Sequence, residues 1–153
     1  MSRSCCYYSK IGRIMVSEDD KGICGISLCT LDECSHNSHS ALTDEAYRQL
    51  AEYLDGKRKV FDIKLSLNGT EFQKLVWKHL CKIPYGKTKS YSEIAMLISN
   101  KLASRAVGMA CNKNPVMILV PCHRVIGKNG SLTGYALGID MKKNLLDMER
   151  NNR

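Results

Sequence analysis

Residues 121–125 read Pro-Cys-His-Arg-Val and follow directly on the apolar run Val116-Met117-Ile118-Leu119-Val120. A cysteine beside a histidine places a nucleophile next to a base. Thiols react as thiolates, and an ordinary cysteine is mostly protonated at neutral pH, so Cys122 needs a neighbour to take its proton. In an extended chain the side chains of Cys122 and His123 point apart. A bridging water would then couple them, and a carboxylate would fix the imidazole tautomer. Pro121 removes a backbone donor and stiffens the approach, and Arg124 adds positive charge near the thiolate. Taken alone, Cys122 reads first as a buried cysteine at a strand end. The rest of the chain has to decide.

The chain carries eight cysteines in 153 residues. Its opening, MSRSCCYYSK, has no apolar core of a secretory leader, and no apolar run is long enough to span a bilayer. Mostly free thiols in a reducing compartment, cytoplasm or nucleus, are therefore expected. Cys24, Cys29, Cys34, His36 and His39 invite a metal reading, but Cys34, His36 and His39 lack a standard zinc-finger spacing. No metal is expected. Cys81 and Cys111 fall on apolar helix faces and read as packing.

Charge is uneven. Residues 1–66 hold 9 basic and 10 acidic side chains, whereas residues 67–153 hold 14 and 5. A neutral half joined to a strongly basic half suggests a polyanion-binding domain attached to something else, against a plain lysine-rich solvated face. Lys87, Lys89, Lys101 and Lys113 are the phosphate-facing candidates. The boundary is expected at Asn68-Gly69, giving units 1–68 and 69–153.

The elements that must position these residues follow from pattern. Residues 1–30 read as an antiparallel meander, with Ile11, Ile14 and Val16 before the turn SEDDKG and Ile23, Ile26 and Leu28 after it. Thr43 is placed as the cap of a helix from Asp44 to Leu54. Phe61, Ile63, Leu65 and Leu67 alternate as a strand. Thr70 with Gln73 makes a capping box before a helix carrying Phe72, Leu75, Val76 and Leu80. Ser90 caps Tyr91–Ile98, and Ser104 caps Arg105–Cys111. Two short helices in the basic half read as helix-turn-helix. The second has few side chains suited to reading base edges in the major groove. Ala106, Val107, Gly108, Met109 and Ala110 are small or apolar, which suits close approach to a backbone or the minor groove.

Phe72-Gln73, Val76-Trp77, IPYGKTKSYSEIA (83–95), RAVGMACNKNP (105–115), PCHRVIG (121–127) and LTGYALG (132–138) occur together. Over residues 70–150 the chain resembles the O6-alkylguanine-DNA alkyltransferases, also called methylated-DNA–protein-cysteine methyltransferases. Residues 1–68 resemble that family more loosely. The resemblance implies an α+β protein, with a small strand-rich, ribonuclease-H-like scaffold domain and a helical, winged-helix-like helix-turn-helix domain.

The resemblance also implies a chemistry. A methyl or other alkyl group would pass from O6 of guanine in duplex DNA onto Cys122, once and irreversibly. O4 of thymine is left open as a second site. No cofactor is needed, the chain acts as a monomer from the minor groove, and no membrane is involved. His123 matches the histidine that activates the thiol through a water. Glu149 matches the carboxylate that orients it, and Asn114 the asparagine under the site. Tyr91 and Arg105 match residues that turn the nucleotide out and fill its place, and Tyr135 a tyrosine bonding the guanine. Ser90, Ala106, Gly108, Arg124, Val125 and Ala136 complete the expected DNA-facing and pocket surface.

Two positions depart from the family pattern. Ser99 stands where glycine is frequent in the inter-helix turn. Leu137 is expected to narrow the pocket against benzyl-sized groups. Three rival readings are weaker. Cys122 argues against a sensor lacking the acceptor, the smooth second helix against a regulator, and the adjacency of Cys122 and His123 against a hydrolase triad.

Overall fold

A computed structural model describes residues 2–34, 38–99 and 101–152. The chain divides into two compact units, Met1–Asn68 with Pro115–Leu119, and Gly69–Asn114 with Val120–Arg153. The single boundary expected at Asn68-Gly69 therefore does not describe 115–119. Those residues cluster with the first unit because Ile26 N–H donates to Pro115 O and Met117 N–H to Ile26 O. As expected, the architecture is α+β, strand-rich in the first unit and helical in the second.

In the first unit β1 (Arg3–Ser9), β2 (Gly12–Asp19) and β3 (Gly22–Leu28) form an antiparallel sheet in sequential order. The second turn is tied by Asp19, whose carboxylate accepts from Lys21 N–H and Gly22 N–H. Gly22 sits at φ 153°, where a Cβ would lie 2.5 Å from Lys64 O, so only glycine fits. Helix α1 (Ala41–Leu54) starts two residues before the expected Asp44. Ser40 is its cap and Thr43 completes the capping box, so the assignment of Thr43 as cap is corrected. Ala46, Leu50 and Tyr53 on α1 join Ile14, Val16, Ile23 and Ile26 in the core.

The strand expected over 61–67 is extended but does not form a ladder. It meets β3 at a single bridge, Ile23 with Leu65, held by Ile23 N–H to Lys64 O and Ser66 N–H to Ile23 O. Its alternation survives, with Phe61, Ile63 and Leu65 half-buried and Asp62 and Lys64 exposed. The run 116–120 is likewise no strand. It is buried throughout, but Ile118 takes φ 73°, a strained conformation for a β-branched residue that breaks the extended path.

The second unit contains α2 (Glu71–Leu80), β4 (Lys89–Ser90), α3 (Tyr91–Ile98), α4 (Ser104–Asn112), β5 (Val125–Ile126) and α5 (Ile139–Asn151). β4 and β5 pair in parallel. The capping boxes Thr70/Gln73 and Ser90/Glu93 form as the sequence requires. Ser104 is not a cap. A 3-10 turn, Lys101–Ala103, feeds directly into α4, and Ala103 at its start makes no capping bond. Ser99 ends α3 at φ −150°, so glycine is not required there. Val76, Trp77, Leu80, Ile94, Val107, Leu145 and Leu146 form the core. Trp77 Nε1–H donates to Ala110 O at 2.9 Å, joining α2 to α4. Gly69 makes room for this indole, since a Cβ there would lie 2.6 Å from the ring.

Candidate active site

Cys122, His123 and Arg124 form a 3-10 turn rather than an extended segment, and all three are buried. The thiol is 3% exposed at residue level. Asn114 Nδ2 donates to Val120 O at 2.8 Å and lies 3.2 Å from Cys122 Sγ. One amide thus ties the backbone before the turn and supplies a hydrogen bond to the sulfur. Burial pushes the Cys122 thiol above the usual range, while the Asn114 bond and the charge of Lys142 pull it back.

His123 is fully buried, and its Nε2 is 2.7 Å from Glu149 Oε2. Burial lowers the imidazole pKa, against the hydrogen bond and charge of Glu149. Glu149 is itself fully buried on α5. Burial acts to raise its carboxyl, but the bonds from His123 and Arg124 prevail and hold it at about 2. The Glu149 carboxylate is surrounded by donors. Gly86 N–H and Arg124 Nε reach Oε1 at 3.0 and 2.9 Å, and Arg124 Nη2 reaches Oε2 at 3.0 Å. Arg124 Nη1 also donates to Ile83 O at 2.8 Å. An ionised carboxylate only accepts, so Nε2 carries the imidazole proton and Nδ1 is the basic nitrogen.

On the other side, Lys142 on α5 is fully buried. Its Nζ donates to Thr133 O at 3.0 Å and lies 3.4 Å from Tyr91 Oη. Tyr91 Oη donates to the same carbonyl at 3.0 Å. Burial lowers the Lys142 pKa, and the thiols of Cys122 and Cys111 oppose that when ionised. Tyr135 stacks edge-on to His123 with ring centroids 6.4 Å apart. Its hydroxyl is buried with no hydrogen-bond partner among the described residues. Burial raises its pKa, so it stays a phenol and a donor. Beside these residues a cleft of about 500 Å³ is bordered by Tyr91, Arg105, Gly108, Asn112, Thr133 and Gly134.

Residues 71–151 match the DNA binding domain of 6-O-methylguanine DNA methyltransferase, and residues 4–67 match its ribonuclease-like domain. The chain belongs to this family. It is 47% identical over 148 residues to the methylated-DNA–protein-cysteine methyltransferase of Methanosarcina acetivorans, covering 94% of this chain and 95% of that one. It is 60% identical over 108 residues to the Methanosarcina mazei protein of the same name, 71% of this chain and 68% of that one. Among solved structures, the Mycobacterium tuberculosis OGT in complex with DNA is 39% identical with a TM-score of 0.87, covering 99% of this chain and 93% of that one.

Within this methyltransferase the structure brings Cys122, His123, Asn114 and Glu149 into one hydrogen-bonded cluster. Tyr91, Arg105 and Gly108 border the cleft, and Ala106 and Ala136 are exposed. Three expected roles change. Arg124 does not face DNA, because its guanidinium is buried against Glu149. Ser90 is buried and spent on capping, accepting from Glu93 N–H. Val125 is buried in strand β5. Cys111 packs as expected, whereas Cys81 just after α2 is exposed.

Lys142 was not among the residues expected in the site. Its signal lay in the spacing of α5, where Lys142, Leu145, Leu146 and Glu149 fall on one buried stripe. Two charges on an apolar stripe need partners, and both face the reactive turn. Lys87 and Lys113 are exposed and Lys89 is half-buried, while the Lys101 side chain lies outside the described residues, as does His36. Among the described residues, the one trio of metal-type ligands is Cys6, Cys29 and Cys34 in the first unit. His39 Nδ1 instead pairs with Asp44 at 3.1 Å. No helix among the described residues is long and apolar enough to cross a membrane.

Proposed function

We propose that this chain repairs duplex DNA by taking the alkyl group from O6 of guanine onto Cys122 Sγ, once per molecule. The observation that carries this reading is the Cys122–His123–Glu149 cluster. It holds a buried thiol, a histidine with its basic nitrogen defined, and a carboxylate fixed by four donors. The Cys122 proton passes to His123 Nδ1 through a water, and Glu149 stabilises the imidazolium that forms. The thiolate attacks the alkyl carbon in line with the C–O6 bond. A C–S bond forms, the C–O bond breaks, and the electron pair stays on the base. The proton taken from the thiol ends on guanine, with Tyr135 donating a hydrogen bond to O6 as charge develops there. Most of the rate comes from holding the carbon against the sulfur.

A base stacked in a duplex cannot reach a thiol 3% exposed, so the nucleotide is extruded at a cost of a few kcal/mol. Arg105, exposed at the first turn of α4 and bordering the cleft, enters the vacated stack. Ala106 and Gly108 let α4 approach closely, consistent with the minor groove. Lys142 and Tyr91 hold the loop at Thr133 over the site and so position the pocket. The helices α3 and α4 act as the helix-turn-helix. The chain works as a monomer, without a cofactor, in a reducing compartment that holds DNA.

Incubation with a duplex carrying one O6-methylguanine, followed by intact mass, tests the reading. The wild type should gain one CH₂ and the Cys122→Ala variant none. Tight binding of the duplex with no mass gain would leave a lesion sensor instead.

A further inference from the structure

Three cysteines of the first unit converge from separate segments. Cys6 lies on β1 opposite Met15, Cys29 follows β3, and Cys34 ends the 3-10 turn Asp32–Cys34. Cys6 and Cys34 are disulfide-bonded. Cys29 Sγ lies 3.5 Å from Cys6 Sγ and 3.6 Å from Cys34 Sγ. A cross-link uses two cysteines, so a third sulfur touching both is not explained by cross-linking.

The backbone around the trio is tied down. Cys29 N–H donates to Arg13 O, and Cys34 N–H to Leu31 O. Thr30 donates through both N–H and Oγ1 to the Glu33 carboxylate at 2.9 Å. All three cysteines are half-buried, reachable by an ion from solvent. Sulfurs bound to one zinc in tetrahedral geometry lie about 3.8 Å apart. The two separations made by Cys29 are already close to that value.

We infer that, with the Cys6–Cys34 bond reduced, Cys6, Cys29 and Cys34 form a thiolate site for one soft divalent cation of the zinc type, with water at the fourth position. The disulfide is the cation-free state of the same site. A dithiol reductant supplies two electrons and two protons and itself becomes a disulfide, leaving Cys6 and Cys34 as thiols. Binding then releases three protons to solvent as three S–metal bonds form. Oxidation of the pair returns the disulfide and expels the cation. Thiolate donors select a soft metal over magnesium or calcium. Burial and Glu33 disfavour the Cys29 thiolate and Arg13 only partly offsets them, so a cation supplies the charge that three adjacent thiolates require. The alkyl transfer proposed above uses none of these residues.

The full chain, reduced with a phosphine and desalted under argon, is titrated with Co²⁺. One equivalent should bind, with intense near-ultraviolet sulfur-to-cobalt charge-transfer bands that one equivalent of Zn²⁺ bleaches. Unreduced protein should show no such bands. Cys29→Ser, which keeps the disulfide pair, should lose the bands after reduction, whereas Cys24→Ser and Cys81→Ser should keep them. Absence of the bands in the reduced wild type, or undiminished bands in Cys29→Ser, would overturn the inference.

Discussion

The two buried charges of α5 do different work, and pH separates them. Lys142 places its positive charge where it favours the Cys122 thiolate. Lys142→Met keeps the length and apolar stem, and removing a buried charge need not cost stability. The rate of transfer from free O6-benzylguanine at pH 7 is expected to fall about tenfold, the effect of roughly one pKa unit on the thiol. Its pH profile should move to higher pH, and an unmoved profile would leave Lys142 a packing residue only. Glu149 acts on stability. Its carboxyl sits at about 2 in the folded chain against 4.5 ordinarily, so the unfolded state binds the proton more readily. That contribution is complete above pH 4.5 and is lost as pH falls towards 2, on the order of 3 kcal/mol. Urea unfolding between pH 7 and pH 3 should show the fall. In Glu149→Gln the slope should flatten, with stability at pH 7 lower by about 3–5 kcal/mol because Arg124 stays buried without its counter-ion.

At the scale of elements, α4 is the one whose composition asks for a DNA explanation. A Cβ at Gly108 would meet the Tyr91 ring at 3.8 Å, an ordinary contact, so the fold itself does not demand glycine. Gly108→Ala should raise stability by about 0.5–1 kcal/mol, read as a higher Tm. It should also slow repair in duplex while leaving transfer from free base intact. Unchanged duplex repair would remove close approach through Gly108. Arg105→Ala should likewise spare the free-base reaction and impair the duplex one, because only extrusion is lost. Equal loss in both would sink its role in the stack. What was legible in the sequence follows the same scale. The capping boxes at Thr70 and Ser90 were readable because four consecutive residues contain them. The Ser40 cap was missed by three residues because Thr43 is an equally good capping type. The strand at 61–67 was overread because alternation reports faces, whereas a ladder needs a partner that runs alongside. Arg124, Lys142 and Cys6 were misread or missed because their partners, Glu149, Tyr91 and Cys29, lie 25, 51 and 23 residues away.

For the molecule as a whole, the charge imbalance and the buried thiol pull in one direction. Fourteen basic side chains against five acidic ones in residues 67–153 draw the second unit to phosphate, and the chemistry then changes that unit permanently. Cys122 is 3% exposed, and its neighbours Val120 and Val125 are fully buried. Asn114 Nδ2 lies 3.2 Å from the sulfur while bonded to Val120 O. An added alkyl group therefore either displaces the amide or presses on packed valines. Overpacking of this kind costs about 1–3 kcal/mol. In a chain of this length each kcal/mol moves Tm by roughly 2–4 °C. Protein fully methylated by the duplex should melt below the unreacted form, and protein benzylated by the free base lower still, since the larger group displaces more. Calorimetry on the two products and the unreacted chain decides it. Equal melting temperatures would mean that the pocket keeps its room for the alkyl group after reaction, and that the spent protein is as stable as the fresh one.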